Sequence, residues 1–291
     1  MPSGRGGSGG VVYARKGKHP NARDVSRYGA APWRRLSPFH LHPEPGIPIP
    51  GRYSVIDLVD ANDYAPYARS VEGIWQGLKV IEGQTDESLF AKAPKKRRGR
   101  PEGHHYGYRT VGYREAKALI YIPAYLHVLR VLEPELVDEL RREPDEVGIV
   151  DVSYQPDCLA DKPLSHAALL VDYLEGRLEP YAEADRRVLD LVQQMNDAHH
   201  DHKRLVPPLL EGIMRRALAM WATRREVTDY SSCAELYERE ALLLLAVRCT
   251  GCWVESEVME PLLDELARVG WVPASGRRDL MLLSPESRWW A

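Results

Sequence analysis

Glu72, Gln76 and Lys79 fall within the segment SVEGIWQGLKV at residues 70–80, spaced by four and then three residues. On a helix this spacing lines a carboxylate, an amide and an amine along one face. A carboxylic acid there can protonate a departing nitrogen, and an amine that has lost its proton can add to an electrophilic carbon. The second task selects lysine over arginine, because a guanidinium stays protonated. The bland alternative is an amphipathic helix whose polar face meets water. Trp75 adjoins Gln76; core packing is the commoner role for such a side chain, with stacking on a base as the other.

This segment resembles the core pattern of the NADAR, or YbiA-like, family, in which a Ser-Glu-His run is followed by Gln and then, three residues later, by Lys. The chain supplies Glu72, Gln76 and Lys79, with Trp75 where the family usually has Phe, but Gly73 stands at the family histidine. A second family element, Phe-Ser-Asn-Phe-Tyr, is matched in part by Leu36-Ser37-Pro38-Phe39-His40. A third, a Trp followed by Lys and then Val-Met, is echoed by Tyr113, Lys117 and Ile120-Tyr121. The resemblance covers roughly residues 35–175.

What it implies is an N-glycosidase acting on ribosylated bases, including removal of ADP-ribose from modified guanine in nucleic acid or nucleotide. Breaking a base–ribose C–N bond develops oxocarbenium character at C1′, so a site needs an acid for the departing nitrogen and a group that captures or shields the sugar. The resemblance casts Glu72 as the acid and Lys79 as the amine that holds the ribose as a Schiff base. It places Ser37, Phe39, Trp75, Gln76, Asp157 and Asp161 around the substrate, and Arg98 and Arg100 suit a diphosphate. No cofactor or metal is expected. An Asp or Ser ahead of a helix is most often a cap, which is the competing reading of Asp157, Asp161 and Ser165. His166, at the start of an apolar helix, fits packing better than catalysis.

The basic loop carries a rival signal. Residues 95–101, KKRRGRP, contain the R-G-R-P core by which AT-hook peptides enter the minor groove of A·T-rich DNA. An expected helix at 257–269 followed by a basic turn and apolar Leu280–Leu283 has the order of a recognition helix and wing. These two segments, 95–101 and 257–283, make a non-catalytic DNA-binding protein the alternative function. The pair Cys249 and Cys252 lacks a second pair at zinc-ribbon spacing, and His199, His200 and His202 read as a solvated helix end.

Positioning the chemistry requires a helix at about 71–81, where Val71, Ile74, Trp75, Leu78 and Ile81 form an apolar stripe, with Ser70 as N-cap and Gly83 as stop. A basic loop follows at 91–110, then a helix at 113–131, a strand within 147–154 and a helix from Ser165 to Leu174. Further helices are expected near 182–198, 207–226 and 233–248. The fold class is therefore α+β, mainly helical. Residues 1–34 read as a flexible basic arm, 35–180 as a NADAR-like catalytic domain and 181–291 as a mostly helical domain.

Composition sets the outer bounds. The 291 residues are 44% hydrophobic, which supports a proper core and excludes wholesale disorder. The longest apolar run, Ala241 to Val247, is far short of the roughly 20 residues of a membrane span. Four cysteines and an amino terminus without an apolar leader point to a reducing, cytoplasmic setting. The net charge of −3 conceals an asymmetry: residues 1–35 hold eight Lys/Arg against Asp24, and residues 92–117 hold nine against Glu102 and Glu115. Concentrated positive charge suits a phosphate-bearing partner, an ADP-ribosylated base or nucleic acid, although charge runs commonly just solvate a surface.

Overall fold

The computed structural model describes residues 10–52, 67–107, 109–155, 157, 159–160, 162–201, 206–223, 225–253, 264 and 268. The chain is α+β and mainly helical, and it divides into two compact units. The first comprises Met1–Pro50, Tyr67–His104 and Gly112–Glu179, and the second Gly51–Pro66, His105–Val111 and Pro180–Ala291.

The first unit is built on a three-stranded parallel sheet. Strands β1 (Val11–Tyr13) and β2 (Ala22–Asp24) flank a central strand made by Val147–Val150. All four residues of that central strand are buried, as an uninterrupted apolar run in a parallel sheet requires. Residues 11–34 are thus not a flexible arm, which corrects the expectation from composition. Three-residue strands carry no readable alternation, and both find their partner only in a segment more than a hundred residues further on. Between them and the middle of the unit come β3 (Ile47–Pro48), pairing antiparallel with β4 (Tyr67–Ala68), then helix α1 (Val71–Leu78). Strand β5 (Lys79–Val80) pairs antiparallel with the start of β6 (Gly103–Tyr106), while β7 (Arg109–Val111) belongs to the second unit.

The expected helix at 113–131 is a continuous helical run with two widened turns. It passes through α2 (Tyr113–Ala116), a π segment (Lys117–Tyr121), α3 (Ile122–His127) and a second π segment (Val128–Leu132). Pro123, near the start of α3, has no N–H to donate and crowds the preceding turn, so the run widens ahead of it. Helix α4 (Pro134–Arg142) leads to the central strand, now β8, and α5 (His166–Leu174) packs against β1 and β8. Ile74, Leu78, Leu119, Ile120, Ile122 and Leu129 are fully buried, and Tyr125 among them donates its hydroxyl hydrogen to the Leu36 carbonyl at 2.8 Å.

The second unit holds α6 (Glu179–Asp201), α7 (Val206–Ala222) and α8 (Tyr230–Trp253), with α7 and α8 packed together. Asp229 starts α8 by accepting the Ser232 N–H at 2.8 Å, and Leu242–Leu245 are all buried. Two buried carboxylates are each paired: Glu238 with Arg187 and Arg216, and Glu240 with Arg109 and Arg239. The helix expected at 257–269, apart from Asp264 and Arg268, and the hairpin expected up to 283 lie outside the described residues. Among the described residues no helix is long and apolar enough to cross a membrane.

Candidate functional site

Helix α1 begins at an extended Ser70 whose hydroxyl accepts the Gly73 N–H at 3.0 Å. It ends at Leu78, earlier than apolar spacing alone predicts, because the next two residues pair with a strand. Lys79 is extended and sits opposite His104, and Val80 sits opposite Gly103. Gly83 is not the helix stop; at φ +70 it turns the Ile81–Gln84 bridge that follows.

The three polar residues form one hydrogen-bonded chain. The Gln76 side-chain amide donates to Glu72 Oε1 at 2.8 Å, and Lys79 Nζ donates to Gln76 Oε1 at 2.8 Å. Glu72 is only 7% exposed and Gln76 3%, so the polar face of the helix is turned inward and the water-facing alternative is excluded for both. Lys79 is half-buried. The Arg97 N–H also donates to Gln76 Oε1, at 3.1 Å, and the Arg97 guanidinium bonds the carbonyls of Gln76, Lys79 and Gln84. A residue from the basic loop therefore tethers α1 to β5.

Burial moves the two ends of this chain toward each other in acidity. It raises the Glu72 carboxyl, against the hydrogen bond from Gln76 and the charges of Lys96, Lys79 and His166. Burial also lowers the Lys79 ammonium; Glu72 opposes that change while Arg97 and Lys96 reinforce it. These directions move the carboxyl toward the protonated form that donates to a leaving group and the amine toward the neutral form that adds to carbon.

Trp75 packs within an aromatic group. Its ring lies 3.8 Å from that of His104, and Tyr113 and Tyr121 meet it edge-on at 5.7 and 5.6 Å. His104 is 2% exposed, and neither of its ring nitrogens has a hydrogen-bond partner among the described residues. Burial, aided by Lys79, lowers its pKa to about 3, so the imidazole is neutral at pH 7. Lys117, 1% exposed on the first π segment, donates to the carbonyls of Ala160 and Lys162 and lies 4.8 Å from the Tyr113 ring centre.

Gly73 and Gly77 make the opposite contact of α1. A Cβ on Gly73 would lie 2.6 Å from the Leu89 carbonyl oxygen and 2.8 Å from Ser70 Oγ, and one on Gly77 would lie 2.3 Å from the Phe90 ring. No side chain, histidine included, fits at position 73 with this backbone. Gly73→Ala tests this by sign. Alanine in an open helix gains about 1 kcal/mol over glycine, whereas here overpacking should lower stability by about 1–3 kcal/mol, read as a lower urea midpoint at unchanged m-value.

The remaining expected residues are placed as follows. Ser37 is buried, and its hydroxyl accepts the Phe39 N–H at 3.4 Å; the Arg27 guanidinium lies 5.0 Å from the centre of the half-buried Phe39 ring. The same segment meets the first turn of α1 through the Glu72 N–H, which donates to the Pro38 carbonyl at 2.9 Å. Arg98 and Arg100 are exposed. Asp157 is exposed and accepts the N–H groups of Leu159 and Ala160 within a local turn; among the described residues the next helix starts only at His166, so this is not a helix cap. Asp161 lies outside the described residues.

His166 has both ring nitrogens engaged, Nδ1 with Asp151 at 3.1 Å and Nε2 with the Val25 carbonyl at 2.9 Å. Burial alone would raise the Asp151 carboxyl, but the hydrogen bond and charge of His166, with the Val152 N–H and the Ser165 hydroxyl, hold it below the usual range. Tyr13 joins this network through Ser165 at 2.8 Å, tying β1 to the start of α5. Sequence reasoning missed Arg97 as a site residue, the Asp151–His166 pair and the burial of His104. Only the charge run and the paired His104-His105 hinted at any of them.

The fold and this buried acid–amide–amine chain define an α+β protein, mainly helical, with a candidate acid–amine site in its first unit. Residues 14–170 match a family of unknown function (DUF6939), and because the match spans more than half of the sequence, the chain belongs to that family. No curated protein and no solved structure matches the chain.

Proposed function

We propose that the chain is an N-glycosidase that cleaves a base–ribose C–N bond, with ADP-ribose on a modified guanine as the substrate class and a cytoplasmic setting. The observation that carries the reading is the buried chain from Glu72 through Gln76 to Lys79, with its two ends shifted in the directions the chemistry needs. Glu72 delivers its proton to the departing nitrogen as the C1′–N bond breaks. The Lys79 amine adds to C1′, ring opening gives a Schiff base, and water releases the sugar. Gln76 fixes both groups. The family resemblance over residues 35–175 supports these roles, while Gly73 leaves its histidine unmatched; the imidazole beside Lys79 in this chain is His104, across the β5–β6 pair. The direct test is incubation with an oligonucleotide carrying ADP-ribosylated guanine and mass detection of released ADP-ribose. Absence of release above a Glu72→Gln control would refute the proposal.

One observation favours the DNA-binding alternative, namely that Arg98 and Arg100 of the R-G-R-P run are both exposed. If they hold the substrate diphosphate, Arg98→Ala with Arg100→Ala should weaken substrate affinity and flatten its salt dependence, leaving turnover at saturation nearly intact. In an AT-hook the same pair of changes would abolish tight binding to unmodified A·T-rich duplex.

A further inference from the structure

A second cluster joins the segment just before β3 to the junction between the second π segment and α4. The donor atoms of His40, His42 and Glu133 all fall within 4.8 Å of one another, and His42 Nδ1 is 3.5 Å from Glu133 Oε1. Ligands held at about 2.1 Å around a tetrahedral ion stand about 3.4 Å apart, so this pair already has the required separation. His42 is 1% exposed and Glu133 3%, and His42 Nδ1 has no hydrogen-bond partner among the described residues although it faces the carboxylate. A buried imidazole nitrogen left unbonded beside a carboxylate costs stability unless something fills the gap.

We propose that His40, His42 and Glu133 form a binding site for a divalent transition-metal ion of the zinc or ferrous-iron class, independent of the glycosidase reading. Two imidazoles and one carboxylate suit these borderline ions, and not magnesium or calcium, which take oxygen ligands. Three protein ligands leave a further position for water or a substrate atom.

The backbone fixes both sides of the cluster. The His42 N–H donates to the Arg69 carbonyl at 2.8 Å, and the Glu133 N–H donates to Val128 at 2.8 Å where the second π segment ends. Irregular helical turns of this kind recur at functional sites. Arg35 grips Glu133 at 3.0 and 2.6 Å, and its side chain is 48% exposed. It neutralises the buried carboxylate and can swing into solvent when a cation arrives, so Arg35 and the metal compete for one charge.

The test uses the full chain, stripped with chelator and titrated with Co²⁺ as a visible probe and then with Zn²⁺. One equivalent of Co²⁺ should bind with visible absorption, be displaced by one equivalent of Zn²⁺ and resist millimolar Mg²⁺. His40→Ala and Glu133→Gln should each weaken binding at least tenfold, and Arg35→Gln should strengthen it. His40 is half-buried and Glu133→Gln is isosteric, so these variants stay informative even if His42→Asn misfolds; far-UV circular dichroism checks each fold. Failure to take up a stoichiometric ion overturns the proposal. So does binding that survives in His40→Ala and Glu133→Gln but disappears when Cys249 and Cys252 are changed to serine.

Discussion

Glu72→Gln should leave the fold intact and lower turnover on an ADP-ribosylated guanine substrate by about 10²-fold or more, the usual loss when a general acid is removed. The exchange conserves volume, and the new amide oxygen can still accept the Gln76 N–H that now reaches Glu72 Oε1 at 2.8 Å. Stability should hold or rise. A carboxyl whose folded pKa is raised is destabilising once ionised, so a neutral amide removes a penalty that the wild type bears near neutral pH. A fall in activity with an unchanged denaturation midpoint therefore separates chemistry from folding.

The pH profile gives the same experiment a second readout. Activity needs the protonated form of Glu72, lost as pH rises through its raised pKa, and the neutral form of Lys79, gained as pH rises through its lowered pKa. With ordinary values near 4.3 and 10.4, only about one molecule in a million would hold both forms at pH 7, and each unit of convergence multiplies that fraction by about ten. Burial of the chain supplies such convergence from both sides. Glu72→Gln should remove the limb of the kcat/KM profile that belongs to the carboxyl and keep the limb set by the amine. Unchanged turnover would remove Glu72 from the mechanism.

How much of this could be read from the sequence depended on how local each signal was. The start of α1 was legible because Ser70, the apolar stripe and the i, i+4 spacing of Glu72 and Gln76 are all local. Its end was not, because Lys79 leaves the helix to meet His104, a partner that periodicity cannot reveal. The polar face could not be assigned to solvent or interior, since the residues that cover it come from elsewhere in the chain. Gly73 shows the same limit from the other side. As a departure from a motif it reads as a lost histidine, whereas in the structure the Leu89 carbonyl occupies the space a side chain would need. The strands at 11–13 and 22–24 exist because β8 offers two edges, and the His42–Glu133 pair because a loop segment and a helix junction distant in sequence meet.

The covalent role of Lys79 makes the most demanding prediction. If the amine captures the opened ribose, the intermediate contains a C=N bond, and borohydride added during turnover should reduce it to a stable secondary amine. The peptide holding Lys79 would then gain the mass of ADP-ribose. Lys79→Arg should abolish this adduct and lower turnover by at least the factor expected for Glu72→Gln, because a guanidinium keeps the positive charge but cannot supply a neutral nucleophile. The geometry makes that substitution a fair comparison. Lys79 is half-buried at the start of β5, and its Nζ donates outward to Gln76 Oε1, a bond that an arginine can also make. Charge and tether would survive while nucleophilicity alone is lost. A purely electrostatic role, in which the cation shields developing charge near C1′, would instead leave the arginine variant substantially active and give no trapped product. That pair of results would dismiss the covalent lysine while leaving a glycosidase in which Glu72 protonates the leaving base and water attacks the sugar directly.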